Sequence, residues 1–225
     1  MSRTDDVVDG IKRMIFDGEL GPGDKLPVEK DLAERLGVSR GSLREGVRAL
    51  SILGILDTRQ GDGTYVTSLD PSRLLSPLRL VVDLHGEAEA QPFHAVRRVL
   101  ETEAAGLAAR RITPGALAEA RALLDRVAEI LGRSPVDHAQ FIQADVAFHR
   151  IIAGQAGNPV LEALIETLAS RTVRERLQRG RDDERAEPRT AQDHEAIWRA
   201  LAAGDAEGAR VRMAAHLLDV EESLR

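Results

Sequence analysis

The sequence predicts a mainly α protein: an N-terminal winged helix-turn-helix followed by a seven-helix bundle-like domain. Three observations carry this. Arg40, Arg44 and Arg48 follow Leu36-Gly37-Val38-Ser39 at helical spacing. Two short β-forming runs, Ile55 to Thr58 and Thr64 to Val66, flank Gln60-Gly61-Asp62-Gly63, and Asp-Gly is a strong hairpin signal. Beyond residue 74, apolar residues recur at spacings of three and four with no strand alternation.

The elements follow in order. Val7, Val8, Ile11, Met14 and Ile15 share one face of a first helix, which Gly18 and Gly21-Pro22-Gly23 stop. Val28 to Leu36 forms a second helix, with Leu32, Ala33 and Leu36 inward and Pro27 at its start. Gly37-Val38-Ser39 is a tight turn in which Val38 plugs the angle between helices. Ser39 is placed to cap the third helix, Arg40 to Leu50, which ends at Gly54. The two strands and their turn then make the wing, closing a first domain at residues 1–70. Leu69-Asp70-Pro71 reads as the linker. The second domain, 74–225, is read as helices near 74–85, 89–111, 114–131, 135–155, 158–178, 187–204 and 206–223, with Ser72 and Asp205 as caps.

Composition narrows the function classes. The chain carries 31 Lys and Arg against 37 Asp and Glu, net −6, which excludes a general polyanion binder. Residues 1–70 are themselves acidic, with ten Lys and Arg against thirteen Asp and Glu, so any nucleic-acid contact is a local patch. Hydrophobic residues make up 43% and aromatics only 3%, so the cores are built from Leu, Ala, Val and Ile. With no cysteine, disulfides and thiolate metal sites are excluded. There is no signal-like N-terminus and no long apolar run, which predicts a cytoplasmic protein without a membrane partner.

The third helix is apolar on the side of Leu43, Val47 and Leu50 and cationic on the other, a form suited to the DNA major groove. Arg40, Ser42 and Arg44 lie near its N-terminus, where side chains reach base edges or phosphates. Arg48 lies further along and suits a phosphate or an ion pair with Glu45 or Glu34. Lys30 on the second helix suits a backbone contact, and Arg59, Gln60 and Gly61 in the wing suit the minor groove or its phosphates. The alternative, a solvated cationic face, does not account for the turn and hairpin that follow it.

In the helical half, Asp145 and His149 are four apart and point to one spot. His194 and His216 sit on the last two helices among the apolar Ile197, Leu201, Met213 and Leu217. Three imidazoles and a carboxylate suit Zn²⁺, Ni²⁺, Mn²⁺ or Fe²⁺, with zinc foremost. On spacing alone, satisfied core histidines remain the alternative. Arg97 lies on a helix with Leu100, Ala104 and Leu107. It suits an ion pair with Glu101.

The stretch from Ile11 to Val66 resembles the GntR family of bacterial transcription regulators. The resemblance rests on Gly18-Glu19-Leu20-Gly21-Pro22-Gly23-Asp24-Lys25-Leu26-Pro27, Leu36-Gly37-Val38-Ser39-Arg40, Leu43-Arg44-Glu45 and Gly61-Asp62-Gly63-Thr64-Tyr65-Val66. It implies that Lys30, Ser39, Arg40, Ser42, Arg44, Gln60 and Gly61 lie at or near DNA. Gly46 stands where alanine is usual and implies a looser helix, by roughly 1 kcal/mol. Asp62 at the wing tip opposes phosphate approach. Residues 93–220 are similar to the ligand-sensing (FCD) domain of the family's FadR-type branch, through Arg97-Arg98-Val99-Leu100-Glu101, Asp145 to His149, Asp193-His194-Glu195-Ala196-Ile197 and Met213 to Leu217. It implies that Asp145, His149, His194 and His216 are metal ligands and that Arg97 faces the pocket of an acidic effector; Arg171 of the fifth helix is a weaker candidate for the same carboxylate, with an ion pair to the acids near it as the alternative.

Together these imply a DNA-binding transcription regulator, a repressor by expectation, acting as a homodimer on a short palindrome of double-stranded DNA. A small organic acid held at the metal and Arg97 modulates operator binding. A regulator for which the metal itself is the signal is the alternative. A metal-dependent hydrolase is disfavoured, because no general base or nucleophile stands beside the site and the DNA-binding half would be unexplained.

Overall fold

The computed structural model describes residues 2–84, 90–169 and 186–222. Its contacts divide the chain into two compact units, Met1–Pro77 and Leu78–Arg225. The division lies past the residue-70 boundary read from the sequence. Leu69 packs against the core of the first unit, and a short helix, α4 (Pro71–Leu74), follows within that unit.

In the first unit α1 (Arg3–Phe16) opens on a capping box made by Ser2 and Asp5 and buries Val7, Gly10, Ile11 and Met14. α2 (Glu29–Leu36) ends at Gly37, whose φ of 64° is the left-handed conformation that lets Val38 turn back onto Ala33 O at 3.0 Å. Val38 packs against the core, as its place in the turn predicts. α3 (Arg40–Ile52) begins at Ser39, whose hydroxyl accepts from the Ser42 amide at 3.1 Å. It buries Leu43, Gly46 and Leu50.

The wing pairs β1 (Leu56–Arg59) with β2 (Gly63–Val66) in antiparallel register, from Leu56 opposite Val66 to Arg59 opposite Gly63. Gly63 is therefore a strand residue, and the connection is Gln60-Gly61-Asp62, closed by Asp62 N donating to Arg59 O at 3.1 Å. Gly63 has a φ of 141°, a conformation that L side chains rarely adopt, and this requires a glycine at the start of β2.

The second unit runs α5 (Ser76–Leu84, starting just inside the first unit), α6 (Ala90–Ala109), α7 (Pro114–Leu131), α8 (His138–Gln155), α9 (159–169 among the described residues), α10 (Ala186–Ala202) and α11 (Ala206–Glu222). One cap assignment and one helix start change. Asp70, not Ser72, caps α4: its carboxylate accepts from the Ser72 amide at 2.8 Å and the Ser72 hydroxyl at 2.6 Å. Asp137 caps α8 through the Gln140 amide, so α8 starts three residues after Pro135. Asp205 does cap α11, through the Gly208 amide at 2.8 Å. Ala105, Ala108 and Ala109 of α6 share a core cluster with Ala209 of α11 and with Phe148, Ile152, Ile197, Leu201, Met213 and Leu217. Small alanines let α6 lie close to α11, and the aliphatic side chains fill the rest.

Gly46 has a reason that helix propensity does not supply. A Cβ there would lie 2.4 Å from Val7 Cγ1 and 2.7 Å from Val7 Cβ, and Val7 is fully buried. The glycine allows the close approach of α1 to α3. Gly46→Ala is expected to destabilise the protein by about 1 kcal/mol, because overpacking outweighs the propensity gain. Urea unfolding measures this, and a raised midpoint would contradict it.

Candidate functional site

The first unit presents the cationic face as expected. Arg40, Arg44 and Arg48 are exposed on α3, opposite Leu43, Gly46 and Leu50. Lys30 is exposed on α2, as are Arg59, Gln60 and Gly61 in the wing. Ser39 and Ser42 stand at the α3 N-terminus with hydroxyls 3.0 Å apart. The pairing of the arginines differs from the expectation. Arg44, not Arg48, carries the ion pair, with Glu29 of α2 at 3.1 Å. Among the described residues neither Arg48 nor Arg40 forms an ion pair; Glu45 instead accepts from the Thr4 hydroxyl at 3.0 Å. Asp62 is turned back on the wing. The Tyr65 hydroxyl donates to it, Lys25 lies 3.4 Å away, and these contacts hold its carboxyl below the ordinary range. Arg59 stacks over the Tyr65 ring at 4.2 Å, with Asp57 3.5 Å away. The wing acid thus meets a cation of its own unit.

In the second unit the four candidate ligands come together. α8 carries Asp145 and His149 one turn apart, α10 carries His194 and α11 carries His216. One ligand atom from each lies within 4.8 Å of all the others. Each residue is at most 3% exposed. His194 Nε2 is 3.3 Å from His216 Nε2 and 3.5 Å from Asp145 Oδ1. Phe148 stacks on the His194 ring at 4.5 Å between centroids and closes one side.

Two acids outside the ligand set determine where the ring nitrogens point. Glu101 of α6 receives a hydrogen bond from His149 Nδ1. Asp193 Oδ2 lies 3.2 Å from His216 Nδ1. A ring that donates from Nδ1 presents a bare lone pair at Nε2. His149 Nε2 is buried and has no hydrogen-bond partner among the described residues. Inward-facing imidazole lone pairs beside a buried carboxylate repel one another unless a cation or protons stand between them. This donor set fits a divalent transition metal, with His149, His194, His216 and Asp145 as the residues that would hold it.

Arg97 takes the ion-pair alternative: its guanidinium and Glu101 pair one turn apart on α6, both nearly fully buried. Arg171 lies outside the described residues. Sequence reading missed Glu101 and Asp193 as partners of the histidines. The i, i+4 spacing of Arg97 and Glu101 signals their pair, but nothing in spacing joins Glu101 to a histidine 48 positions away. Burial by itself would raise the Glu101 carboxyl. The charges of Arg97 and His149 and the hydrogen bonds from both outweigh it and hold the group far below its ordinary value.

A winged helix with an exposed cationic recognition helix, joined to a helical unit with a buried polar site, defines a one-component DNA-binding regulator. Residues 3–66 match the gntR family of bacterial regulatory proteins, and residues 93–219 match the FCD domain. The HTH-type transcriptional regulator LutR of Bacillus subtilis (strain 168) is 34% identical over 94% of this chain and 96% of its own length. The galactonate operon transcriptional repressor of Escherichia coli (strain K12) is 29% identical over 93% of this chain and 91% of its own. The solved structure of Streptococcus agalactiae GntR superposes with a TM-score of 0.70 at 26% identity, covering 98% of this chain and 99% of that one. The chain belongs to the GntR family and carries an FCD effector-binding domain. No helix among the described residues is long and apolar enough to cross a membrane.

A carboxyl lowered in the folded state stabilises the fold above its unfolded value and loses that contribution as pH falls toward the folded one. In chelator-treated protein, stability should therefore decline once the pH drops below 4.5, the ordinary glutamate value. Glu101→Gln should flatten the decline. Urea unfolding across that range tests this, and parallel curves for the two proteins would contradict it.

Proposed function

We propose that this regulator is a cytoplasmic homodimeric repressor whose operator binding is modulated by a small carboxylate held at a metal in the helical unit. The observation that carries the reading is the buried convergence of Asp145, His149, His194 and His216, with His149 Nε2 lacking a hydrogen-bond partner among the described residues. When bound, the metal supplies Lewis-acid affinity for a carboxylate or neighbouring hydroxyl. Zinc is the first candidate, ahead of nickel, manganese and iron.

An acidic effector suits this site because a divalent ion would ligate a carboxylate, and Arg97, joined to the ligand set through Glu101, adds a second cation. One relative is named for the galactonate operon, and galactonate is a hydroxy acid of this kind. Arg171 remains a second candidate for the carboxylate.

On DNA, Arg40, Ser42 and Arg44 read or clamp the major groove from α3, Ser39 sets the helix end at a phosphate, and Lys30 holds the backbone. Arg59, Gln60 and Gly61 approach the minor groove from the wing. A C2 dimer places the two α3 helices in the half-sites of a palindrome. The effector acts only through a difference in affinity for the operator-competent and incompetent geometries.

Purified protein should carry a transition metal by elemental analysis, and His149→Ala or His194→Ala should lose it; equal retention in both variants would overturn the metal reading. Combining Arg40→Ala with Arg44→Ala should abolish the operator gel shift while leaving metal uptake unchanged. Operator binding lost on chelation and restored by metal alone would instead favour the metal as the signal.

A further inference from the structure

Glu101 is buried and touches both the arginine and the metal-ligand set. One carboxylate oxygen takes the Arg97 guanidinium and the other takes His149 Nδ1. The Arg97 and Glu101 side chains are 4% and 2% exposed, and His149 is 3% exposed, so water does not compete for these bonds. The paired geometry leaves His149 with Nδ1 as donor and Nε2 facing His194 and His216. The centroids of the His194 and His216 rings lie 5.0 and 5.4 Å from that of His149 and 4.7 Å from each other, so the three rings form a triangle.

We infer that Glu101 is a positioning residue that fixes the His149 tautomer and joins Arg97 to the metal. This rests on the metal reading above. An ionised acceptor behind the imidazole makes the ring a stronger donor at Nε2 and holds it in the binding orientation. Arg97 keeps that acceptor in place by engaging its second oxygen. A carboxylate arriving at Arg97 must share the guanidinium with Glu101 or displace it, so its arrival is felt at His149. By linkage, metal occupancy and anion affinity then depend on each other.

The test is Zn²⁺ affinity of the full chain, read by competition with a chromophoric chelator. Glu101→Gln should weaken binding by roughly 10–100-fold. It also leaves the Arg97 charge unbalanced near the metal, so the double variant R97Q with E101Q separates the two effects. If Glu101 acts through His149, the double variant stays about tenfold or more weaker than wild type. Recovery of wild-type affinity in the double variant, or a Glu101→Gln affinity within about twofold of wild type, overturns the inference while leaving the metal reading intact. Wild type that takes up no Zn²⁺ overturns both. A second readout needs no variant. Nitrogen NMR of zinc-loaded wild type should find His149 protonated at Nδ1 and bound through Nε2; the opposite tautomer overturns the proposal even if the variants do not fold.

Discussion

Three imidazoles and a carboxylate buried at one point impose the strictest condition on the helical unit. Polar groups withdrawn from water need partners of defined geometry, and an aliphatic core offers none. Glu101 and Asp193 meet part of that need by taking Nδ1 of His149 and His216, which turns the other ring nitrogens inward. The helices that supply these groups, α6, α8, α10 and α11, must therefore keep their relative positions closely. The alanine-rich contact of α6 with α11 and the Phe148 stack on His194 hold the rings within a fixed frame.

The DNA-binding unit answers a different electrostatic problem. It is acidic overall yet presents a cationic face. The structure reconciles these by turning acids onto cations within the unit: Glu29 onto Arg44, Asp62 onto Lys25, and Asp57 towards Arg59. Exposed pairs of this kind contribute little to stability, so they are available for exchange with a phosphate. Arg40 and Lys30 form no such pair among the described residues and offer their charge directly.

Much of this was legible in the chain. Local rules placed α1 to α3, the Gly37 turn and the Ser39 cap, because each depends on residues within a few positions of one another. The one-turn spacing of Asp145 and His149 announced a shared helix face. Other features were not legible locally. Gly46 looked like a propensity defect until Val7 was found against it. Gly63 looked like a turn residue until the register placed it in β2 with a φ of 141°. Ser72 looked like a cap, yet Asp70 holds its amide.

By itself, the sequence determined the fold class, the cationic α3 face and the shared helix face of Asp145 and His149, since periodicity and short motifs act over one or two helical turns; His194 and His216 joined them through the family resemblance, not through spacing. Tertiary structure alone decided that His194 and His216, 22 residues apart, bring ligand atoms within 4.8 Å of one on His149. It alone decided that Glu101, paired with Arg97 one turn away on its own helix, also turns to His149 on α8. Those are contacts between separate helices, set by how α6, α8, α10 and α11 pack, and packing is a property of the whole unit that no local spacing encodes.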